Sequence, residues 1–372
     1  MGRKIWRIVK KVLLAAAILI ALAVAAGVGY RVYRQHDIGA ATRIDPVRGI
    51  DEESFARIGG IEQWISIRGQ NRDNPVLLLL HGGPGATISV LPRNMLYSWT
   101  RDFIVVYWDQ RGAGRTYGRS GPLRPGVTFE RMAQDGVEVA EYICMKLHKP
   151  KIVLVGASWG SMLGAAIAHS RPDLLYAYVG AGQVVNVGSF MKTSYEQVLV
   201  EARQRHNTQA VLELEAIGSP PWAVARQEDV VWKWADAFEG GVPSSSEYLS
   251  MALFESPDGL IDIVDYVRGF TNSDEYFRKR LLVLDIPSFG VNFAIPFFVF
   301  QGTEDNVTPL APVRDYMSAI TAPRKELVLI PDAGHSAMFT HSDQFLKLLL
   351  DRVKPLTVAP SLLIKKPLRS RY

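Results

Sequence analysis

The chain has 372 residues, 48% of them hydrophobic, 10% aromatic and 21% charged. That composition excludes a disordered chain, a collagen-like repeat and a coiled coil, and suits a packed globular protein. The single cysteine, Cys144, rules out an internal disulfide and any thiolate-clustered metal site. The net charge of +5 sits at the ends: residues 1–34 and 354–372 hold twelve basic and no acidic side chains, and setting those aside leaves 30 basic against 37 acidic residues, a net −7. Nucleic-acid binding needs a positive face, and a body of net −7 gives no reason to expect it.

Val12–Tyr30 is an uncharged run of 19 residues, which as a helix spans ~28 Å, close to the ~30 Å hydrocarbon core of a bilayer. Five basic residues precede it and two follow it. That asymmetry predicts a single-span anchor over residues 1–34 with the body outside the cytoplasm. A cleaved secretory signal is the alternative, with Ala23-Val24-Ala25 as its cleavage site and a secreted body as its result.

Residues 35–50 read as a stalk. Ile61–Ile67 alternates apolar and polar, as a half-buried strand does. Short, wholly apolar runs follow at Pro75–Leu80, Phe103–Trp108, Ile152–Val155, Tyr176–Val179, Pro296–Phe300 and Leu327–Ile330, and amphipathic helical spacing fills segments such as Phe129–Lys146 and Gln344–Val353. Strands apolar on both faces belong in a parallel sheet covered by helices, so the pattern predicts an α/β fold. Residues 184–292 break the rhythm with helix formers and aromatics, and read as a helical cap over the sheet edge. The expected organisation is anchor or signal 1–34, core 35–183, cap 184–292, core 293–357 and a basic tail 358–372.

The motifs fall at strand ends, where α/β sheets bind ligands. Gly156-Ala-Ser-Trp-Gly160 follows a strand and precedes a helix, a tight turn that would project the Ser158 hydroxyl from the sheet. A serine nucleophile needs a base, and the base needs a carboxylate. The chain order Ser, Asp or Glu, His is met by Ser158, Asp305 and His335, with Glu304 and Asp332 as rival carboxylates. Ser158 would attack a carbonyl, His335 would take its proton and Asp305 would orient the ring. The oxyanion would be met by the N–H groups of Trp159 and, in the His81-Gly-Gly-Pro-Gly85 loop, Gly83. No metal-ligand cluster, P-loop or dinucleotide-binding glycine pattern is present, so no metal and no cofactor is expected.

Taken together, His81-Gly-Gly-Pro-Gly85, Trp108-Asp-Gln-Arg-Gly-Ala-Gly-Arg-Thr116, Gly156-Ala-Ser-Trp-Gly-Ser161, and Asp305 with Gly334-His335-Ser336 resemble the α/β-hydrolase superfamily, and within it the proline iminopeptidase-like group. The resemblance implies the α/β-hydrolase fold, a mostly parallel central sheet with helices on both faces and a helical cap. It also implies acyl-enzyme chemistry on a small acyl or short peptide substrate, with Asp109 and Arg111 as scaffold. Relatives of that group hold a substrate amine with cap glutamates. Here the candidates are Glu239, displaced from the group's Trp-x-x-Trp-Glu pattern, and Glu255. An aminopeptidase is the most concrete expectation. An esterase or amidase is the alternative, and a catalytically silent binding protein on the same fold comes last. Oligomeric state is not legible.

Overall fold

The computed structural model describes residues 2–222, 226–239, 245–281 and 284–358. The expected basic tail therefore lies, but for its first residue, outside the described residues. Helix α1 (Gly2–Ala41) runs on past residue 34, where a stalk was expected to begin. No proline interrupts it. Its last turn and the segment after it pack on the body: Ile38, Thr42 and Ile44 are buried, and Arg68 donates to the Thr42 carbonyl at 2.9 Å. Residues 35–50 are thus a helical extension and a buried connection rather than a free tether.

The sheet begins with β1 (Ile50–Ile58) and β2 (Ile61–Gly69), an antiparallel hairpin at the sheet edge. β1 is absent from the sequence expectations because its residues, IDEESFARI, are polar on the solvent face. Then come β3 (Val76–Leu80), β4 (Ile104–Trp108), α2 (Gly114–Ser120), α3 (Phe129–Leu147), β5 (Ile152–Ala157), α4 (Trp159–Ser170) and β6 (Leu175–Ala181). Five helices follow, α5 (Val187–Gln204), α6 (Thr208–Ile217), α7 (Glu228–Phe238), α8 (Ser245–Phe254) and α9 (Leu260–Leu281). The chain closes with β7 (Phe297–Gly302), α10 (Leu310–Ala319), β8 (Lys325–Ile330), α11 (Ala337–Thr340) and α12 (Ser342–Leu348).

The eight strands stand in the order β1-β2-β4-β3-β5-β6-β7-β8. From β4 to β8 every pairing is parallel. Alternate residues of one strand serve opposite cores, which is why these strands read as unbroken apolar runs. In β3, Val76, Leu78 and Leu80 join the core under α3 and α4, while Leu77 and Leu79 join the core containing Phe345 and Leu349. Helices α5, α6 and α7 share a small core of their own around Val198, Leu214, Val231 and Trp234.

Candidate active site

Between the end of β5 and the start of α4 only Ser158 is left to make the turn, and it does so at φ +51°, ψ −121°. The flanking glycines are dictated by contact. A Cβ at Gly156 would stand 2.3 Å from the Gly160 carbonyl oxygen, and one at Gly160 would stand 2.3 Å from the Leu80 carbonyl oxygen. Both distances are far inside van der Waals contact, so larger residues would push α4 off the sheet. Ser158 donates its N–H to the Ala181 carbonyl at 2.9 Å. Among the described residues its hydroxyl takes no hydrogen bond and opens into a cavity of about 650 Å³ that His335 also lines.

The loop after β7 supplies Asp305, buried and held by four donors. Val307 N–H (3.0 Å) and Thr308 N–H (2.6 Å) donate to Oδ1, and the Thr308 hydroxyl (2.6 Å) and Gln301 Nε2 (2.6 Å) donate to Oδ2. The loop after β8 supplies His335, whose Nδ1 lies 3.2 and 3.1 Å from the two carboxylate oxygens. The rival carboxylates, Glu304 and Asp332, are exposed. Burial opposes protonation of the His335 ring, but the Asp305 charge and hydrogen bond, with Glu239 and Asp236 nearby, outweigh it and lift the ring to about 9.

The Gly-rich loop after β3 closes the site from the other side. A Cβ at Gly82 would lie 3.1 Å from Ser158 Cβ, so the loop sits directly against the serine. Gly83 adopts φ +110°, a glycine conformation, and its N–H makes no backbone hydrogen bond among the described residues. Trp159 opens α4, where the first N–H groups have no acceptor within the helix. Both residues line the cavity beside Ser158.

One hydrogen-bond chain joins three of the sequence motifs. Trp159 Nε1 donates to Gln110 Oε1 at 2.9 Å, Gln110 Nε2 donates to the His81 carbonyl at 3.1 Å, and Gln110 N–H donates to His81 Nε2 at 3.2 Å. The proton on His81 is therefore on Nδ1, facing the Gly82 carbonyl at 2.9 Å, and burial pushes the ring down to about 4, so it stays neutral. Asp109 accepts from Ser89 and from Arg115 N–H, and Arg111 pairs with Asp135 at 2.7 Å.

The two cap glutamates expected to meet substrate are not in the cavity. Glu239 is buried behind the site, where Oε1 accepts from Asn306 N–H at 2.8 Å and Oε2 from His335 N–H at 2.6 Å. It therefore clasps together the loops that carry Asp305 and His335. Burial and the neighbouring Asp305 charge raise its carboxyl to about 7. Glu255 pairs with Arg34 of α1 at 2.7 Å. The cavity instead receives Asp236, which the sequence reading passed over. It lies four residues after Trp232 on α7, so both side chains share a face, and both line the cavity. Among the described residues the Asp236 carboxylate has no hydrogen-bond or ion-pair partner. Asp236 is an exposed residue on the cavity wall, and desolvation raises its pKa. Glu228, Asp274 and Arg278 also line the cavity, the two acids paired with the guanidinium. The signal that marks Asp236 is its helical spacing from Trp232, which needs the helix boundaries to be known.

The family model for the alpha/beta hydrolase fold matches residues 75–342. The chain belongs to the α/β hydrolases. A probable aminopeptidase of Bacillus subtilis, YbaC, is 27% identical over 287 residues, covering 75% of this hydrolase and 89% of that protein. A probable proline iminopeptidase of Streptomyces coelicolor is 26% identical, covering 72% of this chain and 85% of its own. Among solved structures, a bacterial membrane phospholipase A superposes with a TM-score of 0.59 at 18% identity, over 96% of this chain and 100% of that one, a likeness of fold. The hydrolase thus falls in the proline iminopeptidase-like group. Among the described residues one helix, Ile5–Ala41, is long and apolar enough to be a membrane span or a signal segment, and none of its apolar window is buried.

Proposed function

We propose that this hydrolase cleaves acyl substrates through a covalent intermediate on Ser158. The supporting observation is the joint placement of Asp305 against His335 and of Ser158 on the cavity wall that His335 shares. Ser158 Oγ adds to the substrate carbonyl and gives its proton to His335 Nε2. Asp305 holds the Nδ1–H and balances the imidazolium charge. The oxyanion is met by the Gly83 and Trp159 N–H groups, each donor of this kind being worth ~3–4 kcal/mol in the transition state. Collapse expels the amine or alcohol, which takes the proton from His335, and water then releases the acid by the same steps in reverse. Among the described residues Ser158 and His335 share no hydrogen bond, and catalytic bonds of this kind often tighten only in the Michaelis complex. Treating the folded chain with a fluorophosphonate and mapping the adduct tests this reading: a single adduct on Ser158 is expected, and a folded chain that stays unmodified overturns it.

Within that chemistry an aminopeptidase is the first reading, because an unpartnered carboxylate in an otherwise largely apolar cavity fits a substrate ammonium group. Asp236 takes that role here in place of Glu239 and Glu255. Asp236→Asn is expected to raise KM for aminoacyl naphthylamides about tenfold or more, the scale of one charge-assisted contact, and to leave KM for nitrophenyl esters unchanged, while its smaller effect on the His335 ring alters kcat for both substrates alike. Equal effects on KM for both substrates would remove Asp236 from amine recognition. Turnover of esters alone by the wild type favours the esterase reading, which the apolar lining supports.

Glu239 is proposed as a positioning residue. Its charge lifts the His335 ring, and a base must be unprotonated, so kcat/KM should climb with pH through neutrality toward about 9. Glu239→Gln removes a negative charge beside the ring, lowers the ring's pKa and moves the acid limb of the pH–kcat/KM profile to lower pH. An unmoved limb with a merely reduced plateau would leave Glu239 with a structural role only. Membrane attachment through α1, with the body on the far side from the basic N-terminus, is proposed from the apolar span and its flanking charges.

A further inference from the structure

The end of the apolar span is fixed to the cap. Arg31 donates to the carbonyls of Leu253 and Asp258, Arg34 pairs with Glu255, Gln35 donates to the Ser256 carbonyl at 2.7 Å, and Tyr30 meets Phe254 edge-on at 5.4 Å. These contacts hold the α8–α9 corner at the level where the uncharged run ends and tyrosine and arginine begin, the composition of a membrane–water interface. Helix α9 starts two residues after Asp258, at most ~7 Å of chain further on.

From that point α9 turns an apolar stripe away from the body. Leu260 is 57% exposed, Ile261 77% and Val264 46%, and none of the three lines the cavity. Val267 and Phe270, one to two turns on, are exposed as well and do line the cavity, as does Leu249 of α8. One helix therefore carries an outward apolar face at the foot of the span and, continuous with it, an apolar lip of the cavity that holds Ser158. A soluble protein has no use for such a face beside a membrane helix, since exposed apolar stripes mark surfaces that are covered in service.

We propose that the outward face of α9 rests in the bilayer that α1 spans, and that the cavity takes its acyl substrate from the lipid phase through the lip formed by Leu249, Val267 and Phe270. The occupant of the face is the lipid surface itself. The substrates it selects are amphiphiles whose apolar part partitions into membrane, ahead of freely soluble short compounds. The proposal rests on membrane attachment through α1 and on Ser158 as nucleophile.

The test uses the full chain in lipid nanodiscs. In a Cys144→Ser background, nitroxides are placed singly at Ile20→Cys, Ile261→Cys and Leu212→Cys, the last an exposed site on α6. Collisional access to oxygen and to a water-soluble nickel chelate is then read. The label at 261 is expected in the lipid-access regime, ~5–10 Å below the headgroup boundary, with that at 20 deep in lipid and that at 212 in water. A label at 261 in water while that at 20 is in lipid overturns this proposal and leaves the anchor standing. A label at 20 in water overturns both. In parallel, Ser158 is modified with a long-chain fluorophosphonate dissolved in the nanodisc and with a short soluble one. Ile261→Glu with Val264→Glu should slow the lipid-borne probe about tenfold and leave the soluble probe unchanged, which also shows that the variant is folded. Equal rates with both probes overturn the portal alone, and a wild type that neither probe modifies overturns the nucleophile reading with it.

Discussion

Ser158→Ala is expected to lower kcat by on the order of 10⁶, the scale seen when a triad nucleophile is removed, and to leave thermal stability unchanged within about 0.5 kcal/mol. The two halves of that expectation have separate causes. The hydroxyl has no hydrogen-bond partner among the described residues, so its loss breaks no internal contact. The strained backbone at φ +51° is the same for alanine as for serine, and the Ser158 N–H to Ala181 bond remains. Folding is therefore indifferent to the change. Chemistry is not, because Gly83, Trp159 and His335 would still surround the carbonyl with no atom to attack it. Steady-state turnover of whichever substrate the panel selects, beside a melting curve, checks both halves. A variant that keeps more than a hundredth of wild-type kcat would mean that the reaction does not pass through this oxygen.

Much of the fold was legible because parallel strands buried on both faces must be apolar throughout, and Val76–Leu80 and Ile152–Val155 are so without interruption. The edge strand β1 was not, since an edge strand with one wet face needs few apolar residues. The N-terminal helix was legible up to Tyr30 from its lack of charge. Its continuation to Ala41 depends on tertiary contacts at Ile38 and Thr42 that no local pattern announces. The site divides the same way. Ser158, Asp305 and His335 each follow a strand, so short-range order places them near the sheet's carboxyl edge. Glu239 and Asp236 sit three residues apart around the end of α7, and nothing local says which of them turns into the cavity and which backs the His335 loop. That choice is made by how the helical insertion packs on the loops after β7 and β8, and the sequence reading named the member that backs the His335 loop.

Asp305→Asn is expected to cut kcat by about 10⁴ while the chain still folds. The carboxylate meets only donors on its Oδ2 side: Gln301 Nε2, the Thr308 hydroxyl and the His335 ring. Gln301 cannot turn over to accept, because its Oε1 already takes the Gln183 N–H at 3.1 Å and its Nε2 also serves the Thr308 carbonyl at 2.7 Å. An asparagine NH₂ at Oδ2 therefore faces an opposed N–H, a mismatch costing about 1–3 kcal/mol of stability. The same NH₂ would donate to His335 Nδ1 and force the ring proton onto Nε2, the nitrogen that must accept from Ser158. The base is then blocked by its tautomer rather than misplaced. Loss of the carboxylate charge also lets burial dominate the ring, so the residual activity should titrate at lower pH than the wild type does. Kinetics across pH, with a denaturation curve to fix the stability loss, separate these effects. A fall of less than tenfold at the wild-type optimum would mean that another group orients His335, and would detach Asp305 from the mechanism.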